Sequence, residues 1–160
     1  MLKTKRIILK KITRKDIPQL VNIAKDNEII KFSDHLPFPL TVKEAQNLIN
    51  VKRDSIQLGI FIKNKKLIGV IELYKIKEHN RAKIGYWIGK KYRNKGYASE
   101  SIEKIINYAF KKLKLKVLFA RIRIDNKYSI KLMNKFGFKQ TEDFQEDGKN
   151  YFRWQLKSLQ

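Results

Sequence analysis

The sequence predicts a mixed α/β (α+β) fold in a single domain, with a mostly antiparallel, twisted sheet, and three observations carry that prediction. Apolar residues recur with the alternation of a strand in several short runs and with helical spacing in several longer ones. Residues 82–124 read as strand, glycine-bearing turn, helix and strand, a unit that returns its second strand parallel to the first through a right-handed crossover. At 160 residues the chain is close to the commonest domain size, and no shift of composition marks a linker.

Residues 6–10 read as the first strand. Thr13, Arg14, Lys15 and Asp16 open a helix whose apolar positions Ile17, Leu20, Val21 and Ala24 recur at helical spacing. After a loop containing Pro37, Phe38 and Pro39, Thr41 and Glu44 form a capping-box pattern for a second helix, which carries Ala45, Leu48 and Ile49 and could extend toward Ile56. Two helices therefore precede the main sheet. Residues 56–63 and 67–76 are β-rich runs separated by Asn64-Lys65-Lys66, a hairpin pattern, and residues 82–88 form another strand. Beyond the turn, Ala98, Ile102, Ile105, Ile106, Ala109, Phe110 and Leu113 make one broad apolar helix face. A strand over 117–124 follows, then a shorter helix from Ser129 to Lys135 that ends at Gly137, a left-handed cap position. Asp147-Gly148 signals a hairpin between two final strands, for about six or seven strands and about four helices in all.

Composition excludes several chemistries. Cysteine is absent, which removes disulfides, thiolate nucleophiles and cysteine-ligated zinc, and the two histidines, His35 and His79, stand alone in polar loops, so no metal is expected. The basic N-terminal stretch has too short an apolar patch for a signal peptide, and no segment approaches the roughly 20 apolar residues of a membrane span. A soluble, cytoplasmic protein without membrane contact is the expectation. The 37 basic and 15 acidic side chains leave a net charge of +22, a field that attracts any polyanion without choosing among them. The basic residues are spread along the chain rather than gathered in an arm, so an overall lysine-rich composition accounts for them equally well.

The stretch Arg93-Asn94-Lys95-Gly96-Tyr97-Ala98 joins the strand at 82–88 to the long helix, so the unpaired N–H groups and positive dipole end of a helix start converge there. In such a parallel unit a ligand is expected beyond the carboxyl end of the strand, and an anion suits this one. The stretch is neither GxGxxG nor a P-loop, because no Mg²⁺-binding hydroxyl follows a lysine in the required place, and a nucleotide triphosphatase is disfavoured.

These residues resemble the acetyl-CoA signature (Arg/Gln)-x-x-Gly-x-(Gly/Ala) of the GNAT superfamily of N-acetyltransferases. Ile84-Gly85-Tyr86-Trp87-Ile88 precedes it where that family has its fourth strand, and Asp125-Asn126-Lys127-Tyr128-Ser129-Ile130 with Lys135-Phe136-Gly137-Phe138 is similar to the family's Asn-x-x-Ser/Ala segment and Gly-Phe end. The loop from Leu36 through Pro37, Phe38 and Pro39 to Thr41, with Glu44 and Ala45, narrows the resemblance to the Rim-type ribosomal-protein N-terminal acetyltransferases. The match runs through nearly the whole chain in order.

The resemblance implies the GNAT fold, in which a central parallel pair of strands splays to hold acetyl-CoA as cosubstrate. Backbone groups of Tyr86, Trp87 and Ile88 would pair with pantetheine amides, and the N–H groups of Arg93, Asn94, Lys95, Gly96, Tyr97 and Ala98 would hold the pyrophosphate. Arg93 and Lys95 could add charge or be solvated loop cations; Asn126 would meet the pantetheine arm or serve as an ordinary cap; Lys131 and Lys135 could reach the 3′-phosphate. Many relatives protonate the leaving thiolate with a tyrosine where this chain has Met133, so that acid is missing, and Ser129 is the leading candidate for the role, ahead of Tyr128, although it could instead cap the helix it opens. A backbone N–H near Ile88 would meet the oxyanion. Lys83 occupies the place nearest to the catalytic glutamate of some relatives, which leaves Glu72, acting through water, as the candidate base or else as an outward-facing strand residue.

The implied reaction is acetyl transfer from acetyl-CoA to a primary amine, on a protein N-terminus or a small molecule, by direct attack on the thioester. The acceptor site would lie between the early helices, the loop at residues 33–41 where His35 could contribute, and the last hairpin, whose Glu142, Asp143, Glu146 and Asp147 could draw a cation or simply form a polar tip. The alternative is a basic nucleic-acid- or ribosome-associated protein of the same fold, with CoA binding but little catalysis. Contact with a ribosomal protein or the ribosome fits either reading, as does a monomer or a homodimer.

Overall fold

The computed structural model describes residues 1–33, 36–50, 54–76 and 80–159. Its strands are β1 (Leu2–Lys3), β2 (Ile7–Lys10), β3 (Ser55–Ile62), β4 (Leu67–Ile76), β5 (Arg81–Ile88), β6 (Val117–Arg123), β7 (Lys139–Glu146) and β8 (Lys149–Lys157). The helices are α1 (Ile17–Ile23), α2 (Asn27–Phe32), α3 (Val42–Ile49), α4 (Tyr97–Lys111) and α5 (Lys127–Lys135). All eight strands join one sheet in the order β1-β2-β3-β4-β5-β6-β8-β7. Every pairing is antiparallel except β5 with β6. The sheet has one strand more than expected because the two-residue β1 is too short to leave a periodic signal.

Local chemistry explains most boundaries. Thr41 and Glu44 close the capping box that starts α3, with the Thr41 N–H donating to Glu44 at 2.8 Å. Ile56 lies in β3 and not on that helix. Lys65, at φ +66°, turns the β3–β4 hairpin, and Asp147 (φ +49°) with Gly148 (φ +69°) turns β7 into β8 as a two-residue loop. Thr13 and Asp16 form a capping box over a single 3₁₀ turn, so the α-helix proper starts later, at Ile17. Helix α2 has no counterpart in the periodicity. Its six residues are fewer than two turns, and it forms because the Asp26 side chain caps it by accepting the Glu28 N–H at 3.1 Å. Three helices, not two, thus precede β3.

Apolar residues fill both faces of the sheet. One face packs against α4 and α5 through Ile71, Leu73, Ile84, Ile88, Leu118 and Ile122, with Ile102, Ile105, Met133 and Phe138 from the other layer. On the opposite face Phe61, Leu67 and Val70 pack against Ile17, Leu20, Ala45 and Ile49 from the early helices. Among the described residues no helix is long and apolar enough to cross a membrane.

The feature that positions everything else is the parallel pair. Strand β5 keeps β4 as its partner over its whole length, from Arg81 opposite Ile76 to Ile88 opposite Gly69. Strand β6 likewise keeps β8, from Val117 opposite Lys157 to Arg123 opposite Tyr151. Between them only three rungs form, Arg81 with Val117, Ala82 with Leu118 and Lys83 with Phe119. Beyond Lys83 the two strands part, and the sheet opens into a fork.

Phe138 lies under α5 next to its left-handed cap Gly137 (φ +78°) and is 1 % exposed. Replacing it with alanine should cost about 3–5 kcal/mol in a urea titration, because the vacated ring volume lies in a closely packed layer.

Candidate active site

A cavity of about 1000 Å³ occupies the fork and reaches from α5 and the turn before α4 to the faces of β4 and α2. Its walls include Ile84, Tyr86, Gly96, Asn126 and Ser129 on one side and Phe32, Glu72 and Tyr74 on the other.

Strand alternation decides which backbone groups look into it. The Gly89 N–H donates to the Ile68 carbonyl at 2.9 Å, so every second residue back from Gly89, namely Trp87 and Gly85, turns its N–H and C=O toward β4. Ile84 lies beside the last rung with β6, whereas Tyr86 turns its N–H and C=O, and Ile88 its N–H, into the fork where β6 has already left. Side chains follow the same parity. Those of Tyr86 and Ile88 face the α4 and α5 layer, while Trp87 packs against the core of the early helices. The three neighbours grouped in the sequence motif thus serve different surfaces.

The turn at residues 93–98 has two left-handed residues, Asn94 (φ +58°) and Gly96 (φ +80°), and Gly96 is the N-cap of α4. No side chain caps this helix, so its first N–H groups remain as donors beside the cavity. Gly96 suits this position because its positive φ disfavours any L side chain, and a Cβ there would press on the Arg6 guanidinium at 3.1 Å. The cationic side chains are less available than the sequence suggests. Arg93 donates to Asp26 and Glu28 at the start of α2 and, at 2.9 Å, to the Ile88 carbonyl, so its guanidinium is engaged with α2 and the end of β5. Lys95 Nζ lies 6.0 Å from the Tyr92 ring centre, and Lys135 Nζ donates to Ser99 Oγ at 2.6 Å, which binds α5 to the first turn of α4.

Across the fork, Asn126 Oδ1 accepts the Ser129 N–H at 3.2 Å. Asn126 is therefore the cap, and α5 begins at Lys127, earlier than the spacing predicts. Ser129 lies in the first turn with its hydroxyl free of the capping role, and its Oγ is 2.9 Å from the Tyr86 hydroxyl. Burial pushes the Tyr86 phenol up to about 12, a shift that the hydrogen bond to Ser129 only partly opposes, so the group stays protonated at neutral pH. Sequence reasoning valued Tyr86 for its backbone alone. The signal was the strand parity, which places its ring on the same face as α5. Met133 is buried in the core at 1 % exposure, and Tyr128 is 74 % exposed at the cavity rim.

Glu72 stands on the other wall, opposite Gly85 in the register. Gly85 has no side chain, and a Cβ there would meet nothing within 4 Å, so the space beside Glu72 is open. Gln57 and Tyr74 donate to the two Glu72 oxygens and hold the carboxylate in place. Burial first, then the Glu72 charge and hydrogen bond, push the Tyr74 phenol well up, so it too remains a donor. Lys83 Nζ lies 4.8 Å from the Tyr74 ring centre.

Helix α2 crosses between the two arms of the fork. Arg93 holds its start, and at its end Arg123 donates to the Lys31 carbonyl at 3.1 Å while Lys31 pairs with Asp125 at 3.0 Å. The hydrogen bond from Lys31, aided by Arg123, keeps the Asp125 carboxyl below its ordinary range. The acidic hairpin contributes less. Glu146 is ion-paired with Arg121 and Glu142 with Arg153, and neither lines the cavity. His35 and His79 lie outside the described residues.

A profile described as an acetyltransferase (GNAT) domain matches residues 6–139. The chain belongs to the GNAT family of acetyl-CoA-dependent acetyltransferases. It is 32 % identical over 143 residues to the uncharacterized N-acetyltransferase p20 of Bacillus licheniformis, covering 84 % of this chain and 80 % of that protein. Spermidine N-acetyltransferase of Vibrio cholerae, solved with CoA and spermine, superposes with a TM-score of 0.83 at 21 % identity over 96 % of both chains. RimJ of Mycobacterium smegmatis, solved with CoA-disulfide, gives 0.85 at 14 % identity over 95 % of this chain and 82 % of its own. Both structures have the same fold.

Gly96→Val should abolish the rise in melting temperature that acetyl-CoA produces while leaving the far-ultraviolet circular dichroism unchanged; an undiminished shift would remove the turn from the donor site. Glu100, in the first turn of α4, accepts from Thr4 and from the Arg6 N–H and guanidinium. Burial disfavours its charge, but these donors together with the Arg6 charge outweigh burial and lower its pKa. A depressed carboxyl stabilises the fold above its unfolded pKa and loses that contribution as pH falls through the folded value. The stability gap between the native protein and Glu100→Gln in urea should therefore be full near about pH 7 and shrink toward about pH 3.

Proposed function

We propose that the protein transfers the acetyl group of acetyl-CoA to a primary amine, of a protein N-terminus or a small molecule, by direct attack of the amine on the thioester. One observation carries this reading: a single cavity joins the donor-rich turn, the Tyr86–Ser129 hydroxyl pair and Glu72. The fork-facing N–H and C=O groups of Tyr86 would bond the pantetheine amides as an added strand does, leaving the Ile88 N–H for the oxyanion. The N–H groups of residues 93–98 would hold the pyrophosphate, with Asn126 and Lys135 beside the same arm. Backbone donors suit this task better than Arg93, whose guanidinium is already committed to α2.

Three proton and charge demands are met by this chain's own groups. Ser129 Oγ, while it accepts from the Tyr86 hydroxyl, can turn its own proton toward the departing sulfur. The pair would replace the acid lost at Met133. The Ile88 N–H faces the fork and is placed to donate to the developing oxyanion, and the Arg93 bond to the Ile88 carbonyl fixes the end of that strand. Glu72, open toward Gly85, would take up the amine proton through water, and its negative charge favours a cationic acceptor. The spermine found with the Vibrio cholerae enzyme supports an amine as the acceptor here.

Free-thiol release from acetyl-CoA, followed across N-terminal peptides, polyamines and aminoglycosides, tests the reading. Ser129→Ala should lower kcat about 10²-fold with little change in the KM for acetyl-CoA, and Glu72→Gln should lower kcat/KM for the amine about 10²-fold. Wild-type rates in both variants would overturn these roles. The net charge of +22 also suits a nucleic-acid- or ribosome-associated protein with little catalysis. That reading requires no thiol release across the panel together with RNA binding that falls steeply with salt.

A further inference from the structure

From the structure we infer that Arg6, far from the signature in sequence, is a positioning residue that orients the pyrophosphate-binding turn from behind. The inference rests on the proposal that the turn holds the pyrophosphate, and it adds a residue that no motif of the chain contains.

Arg6 Nη1 donates to the Lys95 carbonyl at 2.9 Å. A trans peptide points its C=O and the next N–H in opposite directions. Drawing the Lys95 carbonyl toward Arg6 therefore turns the Gly96 N–H the other way, toward the cavity that Gly96 lines. The guanidinium is itself held in a defined plane. Its Nε donates to Glu100 at 2.7 Å, the Arg6 N–H donates to the same carboxylate at 3.0 Å, and Thr4 completes the set. The Tyr97 ring stacks beneath it with its centre 4.9 Å away. Arg6 thus bonds two successive parts of the turn, the carbonyl before Gly96 and the carboxylate in the first turn of α4, and fixes one relative to the other.

The Arg6 side chain is 46 % exposed, and exposed ion pairs add little to global stability. The consequence of this contact is directional: it aligns the N–H groups before an anion arrives. A lysine keeps the charge but has no planar fork with which to reach the carbonyl and the carboxylate together.

The test compares CoA, titrated by calorimetry, with pantetheine, which lacks every phosphate, titrated by chemical-shift changes. Arg6→Gln should weaken CoA about tenfold and pantetheine by less than about twofold, and Arg6→Lys should not restore CoA binding. Thr4→Val, which removes one donor from Glu100 and leaves Arg6 in place, should give a smaller loss in the same direction and serves if the Arg6 variants fold poorly. Unchanged CoA affinity in Arg6→Gln, equal losses for both ligands, or full rescue by lysine would overturn the role of Arg6. If the native protein binds CoA no more tightly than pantetheine, the assignment of the turn to the pyrophosphate fails instead.

Discussion

The parting of β5 from β6 after three rungs is the constraint on which the rest of the molecule depends. A strand that loses a neighbour inside a sheet leaves backbone donors and acceptors that must find other partners. In β5 these are the N–H and C=O of Tyr86 and the N–H of Ile88, which look into the cavity. Each strand stays bound to its outer neighbour, β4 or β8, so twist accumulated in the two half-sheets can separate them without loss of the ladders that hold each half. The apolar layer under α4 and α5 runs beneath both halves and keeps the fork from widening further. A ligand with amides and phosphates fits such a fork because it supplies an extra strand and an anion.

Charge is handled with economy for so basic a chain. Arg93 and Arg123 are used to tie α2 across the two arms of the fork, through Asp26 and Glu28 at one end and Lys31 at the other. The proposed anion site would be built from N–H groups and the dipole of α4, with Arg6 bonded to the backbone carbonyl of Lys95. Backbone donors cannot rotate away, so such a site is organised before binding in a way that lysines on flexible stems are not.

The two walls of the cavity divide the chemistry. On the α5 side lies a pair of hydroxyls, Tyr86 and Ser129, the Tyr86 phenol kept protonated by burial. On the β4 side lies a carboxylate, Glu72, fixed by Gln57 and Tyr74. Under the proposed reaction the neutral donor would stand where the thiolate departs and the carboxylate where the amine enters, the arrangement that acyl transfer to nitrogen requires. The parity of β4 and β5 enforces it, since Tyr86 and Glu72 lie on opposite faces of adjacent strands.

The local elements were legible in the sequence because they depend on nearest neighbours: the Thr41–Glu44 capping box, the Asp147-Gly148 turn, the apolar face of α4, and the glycine turn between strand and helix. So was the family, since its motifs are themselves short. Helix α2 was not, because a six-residue helix capped by Asp26 has too few residues to show a period. Nor were the Tyr86–Ser129 pair or the Arg6 brace. Each joins residues that are remote in the chain, and only the packed sheet brings them within hydrogen-bond distance. The sequence by itself determined most of the strands, turns and helices, and that a glycine turn at residues 93–98 opens the long helix. The tertiary structure decided which side chains share a face, and therefore which groups can pass a proton and which only hold the fold in place.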